Sequence, residues 1–99
     1  MSFPEKVLSL LAQIPPSKVT TYAELARAAG RPKAWRWVGR ILSQNSEPDK
    51  YPCYKVVKSD GTLGGYSRGL NEKIRRLEKE GIKTKNKRVD LNKHFHKFK

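Results

Sequence analysis

Apolar residues recur at helical spacing at the start of the chain, where Phe3, Val7, Leu8, Leu10, Leu11 and Ile14 mark one side of a short amphipathic helix. Ser2 and Pro4 suit its N-cap and first turn, and Pro15-Pro16 stop it, so the pattern predicts a helix over residues 4–13. Thr21-Tyr22-Ala23-Glu24 has the form of a capping box and opens a second helix over residues 22–29, ended by Gly30. Pro32 fits the first position of a third helix that continues to Gln44. Two helices joined by a Gly30-Arg31-Pro32 turn form a helix-turn-helix candidate. On the third helix Lys33, Arg36, Trp37, Arg40 and Gln44 share one side, read as outward, and Trp35, Val38 and Leu42 share the other, read as core.

The pattern then changes. Residues 45–51 are rich in Ser, Pro, Asp and Glu and read as loop, and residues 53–58 read as a short strand. Ser59-Asp60-Gly61 is a turn and Thr62-Leu63 a return strand, which together predict a small hairpin or wing before the glycine-rich residues 64–69. Asn71 suits the cap of a last helix with Ile74 and Leu77 inward and Gly81 at its C′ position. Beyond it Lys83, Lys85, Lys87, Arg88, Lys93, Lys97 and Lys99 face a single acid, Asp90. Val89, Leu91, Phe95 and Phe98 can dock part of this segment, but its charge predicts partial disorder. The expected fold is mainly α with a small β-hairpin, a winged-helix-like helix-turn-helix domain over residues 1–82 followed by a basic C-terminal tail over residues 83–99.

Composition narrows the function. Ninety-nine residues suit one domain. With 22 Lys and Arg against 9 Asp and Glu, a net charge of +13 points to a polyanionic partner, and nucleic acid leads. No stretch of apolar residues is long enough to span a bilayer, no secretory leader is expected, and the basic segments lack the broad apolar face of a membrane-bound helix. One cysteine makes no internal disulfide, and His94 and His96 have no companions at zinc-ligand spacing, so neither metal nor cofactor is expected. A reducing, cytoplasmic setting follows.

The cysteine itself, Cys53, lies between Pro52 and the pair Tyr54-Lys55. A buried small hydrophobe is the ordinary fate of a lone cysteine; a nucleophilic thiolate is the alternative. Here the neighbours matter. Pro52-Cys53-Tyr54-Lys55-Val56-Val57, then Gly61-Thr62-Leu63-Gly64-Gly65-Tyr66-Ser67-Arg68-Gly69 and Glu78-Lys79-Glu80-Gly81, resembles the active-site domain of the O6-alkylguanine-DNA alkyltransferases. Their pattern is Pro-Cys-His-Arg-Val-Val, a Gly-Tyr-Ser-Gly-Gly-like loop and a helix ending in Glu-Gly. The likeness extends through Thr21-Tyr22-Ala23-Glu24-Leu25-Ala26, Pro32-Lys33-Ala34, Arg36, Val38-Gly39 and Asn45, and covers roughly residues 14–81. Nothing in the sequence matches the family's variable N-terminal domain.

The resemblance implies irreversible transfer of an alkyl group from a flipped O6-alkylguanine in double-stranded DNA to Cys53, a single-turnover repair reaction. It implies that Glu80 is the relay carboxylate and that Asn45 braces the active-site loop. Tyr54 stands where the family has its relay histidine, and a phenol is a poorer base than an imidazole. Arg36 matches the arginine that fills the gap left by the base, Tyr22 the tyrosine that crowds the target phosphate, and Tyr66 and Ser67 the residues that contact the flipped base. Arg68 replaces a glycine and attracts phosphate. Lys33, Trp37 and Arg40 join Arg36 on the side of the recognition helix that meets the minor groove, and Lys55 and Lys58 are expected to favour the thiolate. A monomer associated with the nucleoid, or with the nucleus in a eukaryote, is the implied state.

A second reading stands beside this one. Arg88-Val89-Asp90-Leu91-Asn92-Lys93 resembles the C-terminal end of the alkyltransferase-like proteins, which bind alkylated guanine without removing the group and flag it for excision repair.

Overall fold

The computed structural model describes residues 1–66 and 68–98. Helix α1 (Phe3–Leu11) starts from a complete capping box, the Ser2 hydroxyl accepting from the Glu5 amide and the Glu5 carboxylate accepting from the Ser2 amide. It buries Phe3, Val7 and Leu11 at helical spacing. A two-residue strand, β1 (Thr20–Thr21), runs directly into α2 (Tyr22–Ala28). That helix ends in a Schellman motif: Gly30 takes φ 92°, and the Arg31 amide donates to the Ala26 carbonyl at 2.9 Å.

Helix α3 (Trp35–Ser43) begins later than Pro32 suggests. The Ala34 amide donates to the Arg31 carbonyl at 2.9 Å, so residues 31–34 close as a turn with Pro32 at its second position. The proline φ suits that position as well as it suits the first turn of a helix. Helices α2 and α3 pack as the expected pair around Leu25, Ala26, Val38, Ile41 and Leu42.

The hairpin expected over residues 53–63 does not form. Residues Cys53–Lys55 make a single 3-10 turn, and β2 (Val56–Val57) pairs in parallel with β1, Thr20 opposite Val56 and Thr21 opposite Val57. The cause is burial on both sides of the strand. Val56 enters the core of α1, α2 and α3, while Val57 enters a second core with Val19, Leu63, Leu77, Ile82 and Val89. A strand buried on both faces suits a central parallel position better than a wing edge. The Lys58 amide still donates to the Thr62 carbonyl at 2.8 Å, which closes the tight turn alone.

Helix α4 (Leu70–Lys79) is capped by Gly69, not Asn71. Gly69 has φ 94°, a conformation L side chains rarely adopt. At the other end Gly81 occupies C′ as expected, with the Ile82 amide donating to the Leu77 carbonyl at 3.0 Å.

The basic segment after residue 82 is folded through residue 98. Strands β3 (Thr84–Lys85) and β4 (Arg88–Val89) form an antiparallel hairpin, turned at Asn86 and Lys87 with φ 53° and 59°. These are the two positive values of a type I′ turn. Helix α5 (Leu91–His94) follows, and the chain then lies beside β1, the His96 amide donating to the Val19 carbonyl at 2.7 Å. Glu24 fixes the end: its carboxylate accepts the Phe98 amide at 2.7 Å and pairs with Arg27, whose guanidinium also donates to the Phe98 carbonyl. The Thr21 hydroxyl accepts from the Glu24 amide, yet the Glu24 carboxylate is committed elsewhere, so half of the expected capping box forms. Buried Val89 and Phe98 and these main-chain bonds hold the segment, while its lysines point outward.

Gly61 has φ 88°, and a Cβ there would lie 2.6 Å from the Val89 carbonyl oxygen. Gly61→Ala is expected to lower the unfolding free energy by roughly 1–3 kcal/mol in urea titration. Gly65→Ala, with open space around it, should change little.

Candidate active site

A cavity of about 770 Å³ opens between α2, α3 and the glycine-rich loop. Cys53, Tyr22, Arg36 and Tyr66 line it together, as do Trp35, Gly39, Ser43, Lys58 and Gly64. The thiol is 6% exposed and belongs at once to the core and to the cavity wall. Its position follows from the local turn: the Cys53 amide donates to the Tyr51 carbonyl at 2.7 Å, and the Val56 amide returns to the Cys53 carbonyl. Asn45 braces the same Tyr51 carbonyl from outside, its Nδ2 donating to that oxygen at 2.8 Å while its Oδ1 accepts the Glu47 amide.

Two phenols face this space. Burial, and then the charge of Cys53, raises the pKa of Tyr22 above its ordinary value and does the same at Tyr66. Both therefore remain protonated donors at neutral pH. The Tyr66 hydroxyl is buried and has no hydrogen-bond partner among the described residues. A buried donor without an acceptor carries an uncompensated desolvation cost. Gly64 permits the approach of Tyr22, whose hydroxyl would lie 3.3 Å from a Cβ at that position.

Behind the 3-10 turn, Tyr54 donates to the Glu80 Oε2 at 2.5 Å. Burial and this carboxylate push the Tyr54 phenol far up, so it acts as a donor and not as a base. The other carboxylate oxygen is 2.6 Å from the Lys55 ammonium, an ion pair without hydrogen-bond alignment. Lys55 is buried and also donates to the Pro15 carbonyl at 3.1 Å. It is thus a partner of Glu80 and not a surface cation; Lys58, by contrast, is exposed at the cavity rim.

Lys33, Arg36, Trp37, Arg40 and Gln44 are exposed and Val38 and Leu42 buried, as the sequence predicts, and the difference lies at Trp35. Helical periodicity places Trp35 in the core, but the residue is 47% exposed and lines the cavity, with the Arg36 guanidinium stacked 5.0 Å from its ring centre. Trp35, Gly39 and Ser43 make the cavity-facing row at i, i+4 spacing because the helix starts at Trp35 and buries Val38, Ile41 and Leu42. Trp37 stays 41% exposed on the outward side while its ring packs on Phe3, ring centres 4.7 Å apart, beneath Arg31. Lys33, Arg40 and Arg68 are exposed and lie outside the cavity lining, and Lys33 precedes the helix. Ser67 lies outside the described residues.

One residue that sequence reasoning passes over is Lys73. Its side chain is fully buried, and its ammonium donates to the carbonyls of Val56 at 2.8 Å, Leu63 at 2.5 Å and Gly65 at 3.3 Å. It ties the strand after the thiol to the loop before Tyr66. A signal for it exists, since Lys73 and Leu77 share the inward stripe of α4. Burial lowers its pKa to about 8, and the charge of Cys53 opposes that shift. The three carbonyls also favour the ammonium, which is the form that can donate to all of them.

The family model for the DNA-binding domain of 6-O-methylguanine DNA methyltransferase matches residues 2–82. The chain belongs to this family. This alkyltransferase-family domain is 54% identical over 91 residues to a bifunctional methyltransferase/endonuclease of Picrophilus torridus, covering 91% of this chain and 30% of that relative. The chain therefore spans under a third of that relative's length. S. pombe Atl1, solved in complex with damaged DNA containing O6-carboxymethylguanine, superposes with TM-score 0.88 at 30% identity over 97% of this chain and 95% of that one. The Mycobacterium tuberculosis OGT in complex with DNA gives TM-score 0.78 at 34% identity over 82% of this chain and 49% of the other. Mainly helical architecture with small sheets is common to the alkyltransferase domains and this chain. Among the described residues no helix is long and apolar enough to cross a membrane.

In this alkyltransferase-family domain the Lys73 ammonium titrates lower in the folded chain than in the unfolded one. The unfolded state then binds more protons between about pH 8 and pH 10.5, so the stability this group contributes rises with pH across that window. Urea titrations at several pH values should show that rise in the native chain. Lys73→Met should be less stable at neutral pH, where three carbonyls lose their donor, and should lack the rise.

Proposed function

We propose that the chain repairs alkylated DNA by direct transfer of the O6 substituent of a flipped guanine to Cys53. The observation that carries this reading is the thiol in the wall of a cavity shared by Tyr22, Arg36 and Tyr66, with the Tyr66 hydroxyl awaiting an acceptor. The thiolate attacks the alkyl carbon, the new sulfur–carbon bond forms as the carbon–oxygen bond breaks, and the oxygen leaves with the electron pair. Guanine takes one proton and the thiol loses one, so the net proton count is unchanged. Tyr66 donates to the leaving base and stabilises its developing charge. Arg36, stacked on Trp35 at the rim, suits the gap in the duplex because a planar cation stacks and still donates. Tyr54 already donates to Glu80, so it can take the thiol proton only while passing its own to that carboxylate.

The partner in this reading is double-stranded DNA, approached from the minor groove by a monomer, in a nucleoid-associated cytoplasmic setting or the nucleus of a eukaryote. A net charge of +13 supports it, and the affinity is expected to depend steeply on salt. The likeness to S. pombe Atl1 over 97% of the chain favours a second reading, in which the same cavity holds the lesion without reacting.

Incubation with a duplex containing O6-methylguanine, followed by intact mass, separates the two. Transfer predicts a gain of one methyl on the Cys53 peptide, lost in Cys53→Ser with duplex affinity retained; tight binding with no mass gain overturns transfer in favour of lesion binding. Tyr54→His is expected to raise the transfer rate at neutral pH, since an imidazole accepts the thiol proton directly. An unchanged pH–rate profile in that variant would remove Tyr54 and Glu80 from the proton path.

A further inference from the structure

The cations of this chain are not uniformly placed. Among the described residues Arg27, Lys55, Arg75 and Arg76 are paired with carboxylates. Lys83, Lys85, Lys87 and Arg88 are exposed and make no such pair. They lie on and just before the β3–β4 hairpin, whose type I′ turn carries Lys87 at its tip. This hairpin is tied to the cavity loop by two bonds, the Leu63 amide donating to the Lys87 carbonyl at 3.0 Å and the Val89 amide to the Gly61 carbonyl at 2.9 Å, which together pair Thr62 with Arg88 as an antiparallel bridge. Lys85 and Arg88, opposite each other in register, face a concavity that includes Ser59 and Asp60. Ser59 also lines the large cavity. One turn therefore has the thiol cavity on one side and the basic hairpin on the other.

Ser59 puts this rim within the mouth of the cavity, so a strand whose extruded nucleotide enters there can continue past it. We propose that the β3–β4 hairpin is a basic wing that contacts the phosphodiester backbone flanking the lesion on the Ser59–Asp60 side, through Lys85, Lys87 and Arg88. The proposal rests on the duplex-DNA reading above. Asp60 and Asp90 line the same concavity, so phosphates meet Lys85 and Arg88 at its rim and Lys87 at the hairpin tip, and not at its floor. The contact carries no base information; it adds affinity and fixes the register of the damaged strand relative to Cys53. Bound phosphate at the wing would also hold the Gly61–Leu63 segment through the same two backbone hydrogen bonds, steadying the loop that leads to Tyr66.

The test is the full chain against a variant carrying Lys85→Gln and Lys87→Asn, both tolerated by the hairpin backbone, with thermal melting as the check on folding. Fluorescence anisotropy on an O6-methylguanine duplex should give a less steep dependence of log affinity on log salt in the variant, by about 0.9 for each phosphate that the wing no longer neutralises. A series of duplexes with the lesion moved towards one end or the other should cost the native chain affinity when the wing-side flank is shortened, and the variant should lose that asymmetry. The same slope and the same end dependence in a folded variant would overturn the wing. Equal weakening on single-stranded RNA and on duplex would also overturn it, since that is diffuse attraction and not a duplex contact. Failure of the unaltered chain to bind any duplex would instead remove the reading beneath it.

Discussion

The Lys73 ammonium reaches carbonyls from three places in the chain, Val56 in β2 and Leu63 and Gly65 in the loop that precedes Tyr66. A buried charge of this kind is tolerated only when its donors are satisfied, because removing it from water costs several kcal/mol. The cost holds the surroundings in place. The three acceptors are within reach together only at this spacing of β2 and the glycine loop, so the brace ties the thiol turn to the segment that leads to Tyr66. The cavity is shaped by a fixed polar brace under an apolar floor.

A second buried pair works on the opposite side of the 3-10 turn. Glu80 is the C-cap of α4, and Gly81 gives that helix its Schellman end, so backbone geometry aims the carboxylate at both Tyr54 and Lys55. Lys55 in turn reaches Pro15 beyond α1, while the Ser17 hydroxyl donates to the Glu80 carbonyl at 2.6 Å. The Cys53 turn is thus fixed from α4 twice, by Lys73 in front and Glu80 behind. Arg76 extends this grip to the loop before the thiol, pairing with Asp49 and stacking over Tyr54.

Much of the scaffold is legible in the sequence because it is written in local signals. Ser2 with Glu5, Gly30 and Gly81 set helix ends by capping chemistry, and each stands where a reader of the sequence would put it. What escapes such a reading is long-range. Val56 and Val57 look like half of a hairpin until the second core that buries Val57 is known, and that core draws on Leu77, Ile82 and Val89 from far along the chain. The charge of the last residues argues for looseness, whereas Glu24 and Val19 supply main-chain partners that composition does not reveal. At the site, motif order brings Cys53, Tyr22, Arg36 and Tyr66 together. Trp35 and Leu42 do share a side of α3 as the periodicity says, but that side borders the cavity, which leaves Trp35 at the first turn exposed where the sequence predicts core.

Cys53 sits in the packed interior as well as at the cavity wall. A sulfur so placed is packed on one side and faces open space on the other, so a reagent can reach it from the cavity alone. Access to the sulfur is therefore set by the mouth of the cavity and not by the outer surface of the fold.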